Sequence, residues 1–293
     1  MIEKNNQNKT LNKEIRKINV LHILDMIGGS SIQSHFYNKF GYGKSVVLYH
    51  KKPTKINPVV DFYNEAIPFP FVRSLVLEAL RRCRSDEIDI IHLHQAEILV
   101  PIFKLFTNKK IVLQYQGSDI LEVNRSRNIF RIIFRGMADT IIYNQKAHLK
   151  KIITIRKLPK EYHVNAVDTD HFKPQNKQKK GIVAFISDNL NRKATLKLLK
   201  KFEGIEIIDT GKAVISHEDL PNILNNYEMF VDLKITTYNL LVPTLSMLAL
   251  QSLACGCKVY TFENEIKKEL PERHKPEVVM KKLYDLYYKV LIT

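Results

Sequence analysis

No stretch of this 293-residue chain stays apolar for the length of about 18 residues that a membrane-crossing helix needs, so no spanning helix is expected. The first residues, MIEKNNQNKTLNKEIRK, are polar with no apolar run behind them; they are expected to be a polar lead-in and not a secretory signal. Cysteine is scarce. Cys83, Cys255 and Cys257 are an odd number without metal-ligand spacing, which excludes a disulfide framework and a cysteine-type zinc site and fits a reduced, cytoplasmic setting. Acids are also short: 30 Asp and Glu face 46 Lys and Arg, a net charge of +16. That excess suits an anionic partner, whether nucleic acid, a membrane surface or a phosphorylated small molecule. Lysines spread along the whole chain would give the same balance with no partner at all. Neither an interleaved basic-aromatic motif nor a helix-turn-helix signal is present, so specific nucleic-acid binding is not expected. No internal repeat appears.

What is present is an alternation. Short apolar runs (INVLHIL at 18–24, SVVLYH at 45–50, DIIHLH at 89–94, KIVLQYQ at 110–116, TIIYN at 140–144) read as strands. Between them, FVRSLVLEALRRC (71–83), the segment from about 96 to 106 and NIFRIIFRGMA (128–138) have helical spacing. This is the pattern of βαβ units on a parallel sheet. It stops at HFKPQNKQKKG (171–181), a polar stretch around Pro174 read as a linker, and then restarts. GIVAFIS, GIEIIDT, EMFVDLK and KVYTFE are strands; NRKATLKLLKKF, a helix opening at Ser216 with Glu218 and Asp219 in its first turn, and PTLSMLALQSLA are helices. A last amphipathic helix begins at Pro276. The chain is therefore expected to be α/β, with two Rossmann-like domains facing across a cleft: a lead-in over 1–17, a first domain over 18–174, a second over 175–275, and a C-terminal helix over 276–293 packing back on the first.

In open α/β sheets ligands lie outside the carboxyl ends of the strands. After the first strand comes DMIGGSSIQSH, where Gly28 and Gly29 allow close backbone approach and the helix start offers free amides. A third glycine for a dinucleotide fingerprint and a closing Gly-Lys-Ser/Thr for a P-loop are both missing, and a plain tight turn reads equally well. After the strand at 110–115 comes QGSDI, with Gln116, Ser118 and Asp119 placed for hydroxyl recognition or, for the last two, for capping the next helix. In the second domain Arg192 and Lys193 sit at a helix start, against the helix dipole; an anion held among them and the amides makes sense of that. A helix starting at Pro243-Thr244 would offer a second anion cradle near Ser246 and Met247 and end at Gly256, with Cys255 and Cys257 as packing residues. His92 and His94 alternate along one strand and share a face. With His22 and His35 they have no supporting cysteine or acid spacing, and no metal site is expected.

Taken in order, IGGSSIQSH, DIIHLHQAEI, QGSDI, VNAVDTDHFKP, NRKATLKLL and LSMLALQSLACGCKVY resemble the family-4 retaining glycosyltransferases of the GT-B fold, over residues 18 to 262. The family pattern has a Gly-Gly loop, His-Gly-Ser-Asp, Asn-Gly-Val-Asp-x-x-x-Phe-x-Pro, Lys-Gly and Glu-Ala-Leu-Ala-Cys-Gly. This chain departs from it where Pro243 and Gln251 stand in place of two glutamates, Gln116 in place of a histidine, and Asp188 near the place of an arginine.

The resemblance implies metal-independent sugar transfer from a nucleotide-sugar to an acceptor hydroxyl, with anomeric retention and no cofactor. Arg192, Lys193 and the amides at Ser246 and Met247 would hold the diphosphate, Gln251 the ribose, Gly28 and Gly29 the sugar, and Gln116 and Asp119 the sugar or acceptor. The acceptor would be a glycan or a lipid-linked or protein-linked group. RSRNIFRIIFR (125–135), basic and apolar, would rest against the anionic inner face of a membrane or pack its apolar side on the sheet. A nucleotide-sugar-binding or scaffolding member that has lost its glutamates is the alternative.

Overall fold

The central strands of this chain are short, β-branched and buried on both faces, and most are followed by a helix that folds back over the sheet, which favours parallel pairing. In the computed structural model, which describes residues 15–24, 28–51, 59–85, 87–116, 128–187, 190–211, 215–235 and 244–293, this produces two sheets. The first lobe comprises β1 (Val20–Ile23), α1 (Gly29–Lys39), β2 (Ser45–His50), β3 (Ala66–Phe69), α2 (Val72–Arg84), β4 (Ile90–His94), α3 (Val100–Phe106), β5 (Lys110–Tyr115), α4 (Ile129–Gly136), β6 (Thr140–Tyr143), α5 (Lys146–Leu149) and β7 (Lys160–Tyr162). Its seven strands are all parallel in the order β3-β2-β1-β4-β5-β6-β7. The second lobe comprises β8 (Ile182–Ile186), α6 (Arg192–Leu199), β9 (Ile205–Asp209), α7 (Leu220–Leu224), β10 (Met229–Val231), α8 (Met247–Ala254), β11 (Lys258–Tyr260) and β12 (Ile266–Lys267). Its order is β12-β11-β10-β8-β9, with only β12 antiparallel.

The last helix, α9 (Pro276–Ile292), starts with Pro276 in its first turn and returns to the first lobe. Its apolar stripe of Val279, Met280, Leu283 and Tyr287 is buried against Val20, Ile90, Val112 and Ile142 of the first sheet, against Ile18 just before it and against Tyr37 of α1. The chain thus crosses between the lobes twice, outward past Asn165–Val167 and back past His274. The two crossings are bonded to each other: the Val167 amide donates to His274 O (3.0 Å), and His274 Nδ1 meets Asn165 O (2.9 Å). A side-chain clamp flanks them. Tyr63 Oη donates to Asp168 Oδ2 at 2.7 Å, and Asp168 Oδ1 accepts from the amides of Asp170 and His171.

Two segments differ from the expectation. The helix expected from Ser216 begins at Leu220, because the Ser216 hydroxyl takes the Asp219 amide (2.9 Å) in a turn of its own. The helix expected from Pro243 begins at Met247, with Ser246 as its cap accepting from the Ala249 amide at 3.2 Å. Pro243 itself lies outside the described residues. Gly256 has φ +78, the left-handed conformation that closes a helix, and there glycine is the residue without penalty.

Candidate functional site

In each sheet the strand order reverses once, and there the carboxyl ends of two neighbouring strands open a crevice. In the first sheet the reversal falls between β1 and β4, in the second between β8 and β10.

At the first crevice the backbone is strained on both sides. Leu24, directly after β1, has φ +63, and Gln95, directly after β4, has φ +58. A left-handed conformation costs a side-chain-bearing residue about 1–2 kcal/mol, and such residues gather at functional sites. The chain re-enters the described residues at Gly28, whose φ of +79 starts α1. A Cβ at Gly28 would overlap Val59, and one at Gly29 would come within 2.8 Å of Gln116 Oε1. The two glycines are therefore needed for packing within the lobe, and Gly29 lies against the Gln116 side chain. Gln116 is buried; its Nε2 lies 3.0 Å from His94 Nδ1, and its carbonyl accepts from the Asn144 amide group at 2.9 Å. Asp119 lies in the segment 117–127, outside the described residues.

Parallel register then assembles a cluster that the linear spacing does not announce. His22 pairs with His92 across β1 and β4, and His94 lies two residues further along the same face. The three imidazoles are buried and stacked, with ring centroids 4.4–5.2 Å apart. His22 Nδ1 meets His94 Nε2 at 2.9 Å, and His92 Nδ1 meets Tyr287 Oη of α9 at 2.6 Å. Burial holds the His94 pKa down at about 3 and that of His92 well below the usual range, the latter also through its histidine neighbours. Both rings are neutral at pH 7. His35 stands apart, 3.3 Å from Glu65.

At the second crevice two residues the sequence reading passed over are drawn together. Asp232 and Lys234 follow β10. Asp232 accepts from the Ser246 amide (2.8 Å) and hydroxyl (2.7 Å), and the Lys234 ammonium lies 2.9 Å from Ser246 Oγ and 3.3 Å from Asp232 Oδ1. Their position directly after a strand that borders the reversal is the signal that could have found them. Of the first amides of α8, those of Ser246 and Ala249 are occupied, while those of Met247 and Leu248 have no acceptor among the described residues. Gln251 sits one turn below Met247 and is buried. Arg192 and Lys193 open α6 as expected, behind Asn191, which caps the Ala194 amide. The Arg192 guanidinium is paired with Asp209, and Lys193 is exposed. Asp188 lies outside the described residues.

The described part of the basic helix, α4, neither lays its whole apolar side on the sheet nor turns its arginines outward. Arg135 is fully buried, with Nε donating to Tyr115 Oη at 2.9 Å, and both Arg131 (2.5 Å) and Arg135 (3.6 Å) reach the buried Glu97. Ile129 and Phe130, by contrast, are exposed, as are Ile98, Leu105 and Phe106 on the neighbouring segments. Cys255 and Cys257 are buried, and burial pushes the Cys255 thiol up to about 12, so they pack and do not react.

No protein-family model matches the chain, and no curated protein matches it. Among solved structures it is similar to a sucrose-phosphate synthase from Thermosynechococcus elongatus, at TM-score 0.51 and 11% identity, over 94% of this chain and 92% of that one. UGT71G1 of Medicago truncatula, complexed with UDP-glucose, gives TM-score 0.46 and 10% identity over 94% and 92%. MurG of Acinetobacter baumannii gives TM-score 0.40 and 11% identity over 94% and 92%. The first likeness is one of fold: two Rossmann-like lobes in the GT-B arrangement.

Proposed function

We propose that this chain transfers a sugar from a nucleotide-sugar to an acceptor hydroxyl, with retention at the anomeric carbon. The observation that carries the reading is the second crevice, where a largely buried lysine stands beside two unoccupied helix-start amides at the point where the strand order reverses. A leaving nucleoside diphosphate needs donors fixed in advance where its negative charge develops. The Lys234 ammonium and the amides of Met247 and Leu248 supply them, with Arg192 and Lys193 at the neighbouring helix start. Gln251, below, is in reach of the ribose. The transferred sugar points toward the first crevice, where Gly28, Gly29 and Gln116 lie. The exposed Ile98, Leu105, Phe106, Ile129 and Phe130, on a chain of charge +16, suit an acceptor carried on an anionic membrane.

One observation favours a second reading, a subunit that binds the donor without turnover: the Gln116 side chain is engaged by His94 and lies under Gly29, so it is not free to meet a substrate. Titration of a panel of nucleotide-sugars and nucleoside diphosphates by calorimetry, followed by an assay for diphosphate release with and without lipid-linked acceptors, separates the two. Binding with release supports transfer; binding without release on any donor supports the second reading. Failure of every nucleoside diphosphate to bind refutes both.

A further inference from the structure

The buried histidines of the first lobe do something that neither the donor site nor core packing requires. Three imidazoles from two strands bring ligand nitrogens within 4.8 Å of one another. On the strand and the helix packed against this face, buried polar groups are poorly paired. His92 Nε2 has no hydrogen-bond partner, and neither do the amide atoms of Gln33 and Gln114 or the hydroxyls of Ser30 and Ser34 on α1 and β5. An unpaired buried polar group costs about 1–3 kcal/mol, and native structures keep few of them without a bound water or ion. A core built for packing alone would place apolar residues here, as the same sheet face does one layer below with Val20 and Ile90.

We propose that His22, His92 and His94 form a binding site for one divalent transition-metal ion of the zinc type. Imidazole nitrogen is the ligand that zinc, cobalt and nickel favour, and three histidines with one further position is a known coordination set. The partners on the far sides of the rings suit it. With His92 Nδ1 protonated and donating to Tyr287 Oη, the lone pair of the unpartnered Nε2 is free for the metal. A flip of the Gln116 amide would let its oxygen accept from a protonated His94 Nδ1, which frees His94 Nε2 in the same way. Metal–nitrogen bonds of about 2.0–2.1 Å at tetrahedral angles put the nitrogens about 3.3 Å apart. One pair stands at 2.9 Å already, and the widest spread of 4.8 Å closes by small ring rotations. Three neutral imidazoles leave the ion's charge uncompensated, so the fourth ligand is an anion, and hydroxide from a bound water meets that need. The ion would tie the strained ends of β1 and β4 to each other and, through Tyr287, to the C-terminal helix. This inference does not rest on the donor site.

The test uses the full chain without a histidine tag, stripped with a chelator and reloaded with Co2+. The expected result is one Co2+ retained per chain, the visible absorption of tetrahedral nitrogen coordination, and loss of that absorption when Zn2+ is added. Tyr287→Phe keeps all three ligands and the apolar ring, and should weaken Co2+ affinity about 10–100-fold. His50→Gln, on β2, where the ring meets Phe69 O of β3, should leave it unchanged. Histidine 15N resonances of the unaltered chain give a readout that needs no variant: Zn2+ should shift three of the ten histidines, and His94→Gln should abolish the effect. No retained Co2+, shifts confined to other histidines, or full affinity in His94→Gln would overturn the proposal.

Discussion

Replacing Lys234 and replacing Asp232 should move diphosphate affinity in opposite directions, although the two side chains belong to one hydrogen-bonded group. In Lys234→Met the ammonium goes, and with it a charge-assisted hydrogen bond to the ligand worth about 1.5–3 kcal/mol. At about 1.4 kcal/mol per factor of ten this is a loss of roughly 10- to 100-fold in affinity. Asp232 then remains as an uncompensated carboxylate beside the anion. At a separation of about 5 Å and an effective dielectric constant of about 20, that repulsion is of order 3 kcal/mol, so the larger figure is the better guide. The fold should survive, because Asp232 keeps both bonds from Ser246. Asp232→Asn removes the competing negative charge and keeps a hydrogen-bonding side chain in place, so affinity should hold or rise, and the double variant should bind more tightly than Lys234→Met. Lys193→Ala, at an exposed position, should cost under about 1 kcal/mol. Calorimetric titration of a nucleoside diphosphate at low and moderate salt measures all four, with circular dichroism as the folding control. The reasoning fails if both single variants weaken binding alike, or if Lys193→Ala weakens it more than Lys234→Met.

Three further outcomes are expected. Glu97→Ala takes the carboxylate away from the fully buried Arg135 and should destabilise the chain by about 3–5 kcal/mol in urea unfolding; a change within about 1 kcal/mol would mean that the guanidinium is satisfied without it. Gly28→Ala adds left-handed strain of about 1 kcal/mol and an overlap with Val59 costing about 1–3 kcal/mol more, whereas Gly181→Ala, at φ +75 with open space around it, carries the strain alone; equal melting temperatures for the two would refute the packing role of Gly28. The third concerns pH. His94 (about 3) and His163 (about 4) are depressed by burial, and His92 lies well below the usual value, so between pH 6.5 and those values the unfolded chain binds more protons than the folded one. Stability should be full above about pH 6.5 and fall steadily as the pH drops below it, by several kcal/mol in total; a flat profile from pH 7 to 5 would show that these rings take up protons in the fold as readily as in the unfolded chain.

The parts of the fold that were legible from the chain are those whose signal is local. β2, β4 and β5 are β-branched runs ending in polar residues, and α9 has a proline start and a four-residue rhythm. β3, β7 and β12 were missed because they are edge strands: β3 contains Pro68, and β7 and β12 are three and two residues long, so they need little apolar content and show no alternation. The site divides in the same way. Gly28–Gly29 and the start of α8 announce themselves by residue type. Asp232 and Lys234 follow a strand of three residues and look like any polar loop until the strand order shows where that loop opens. His92 and His94 share a face by simple alternation, but His22 joins them only through the pairing of β1 with β4, a contact between residues seventy positions apart. The reach of Arg131 and Arg135 to Glu97 is likewise invisible to a helix-period reading, which assigns arginines to water.

The paired crossing between the lobes makes the second lobe an insertion, with the first lobe completed only when the chain's last helix arrives. A single nick near Asn165 should therefore leave both pieces joined, held by the return segment at His274 and by α9 in the first lobe's core. Swinging of one lobe against the other must turn on two bonded segments instead of a single flexible thread, which restricts the motion to rocking about one line. Removing α9 would uncover the apolar face of the first sheet and take away the hydroxyl that orients His92, so a truncation far from either crevice should be felt in both stability and histidine chemistry.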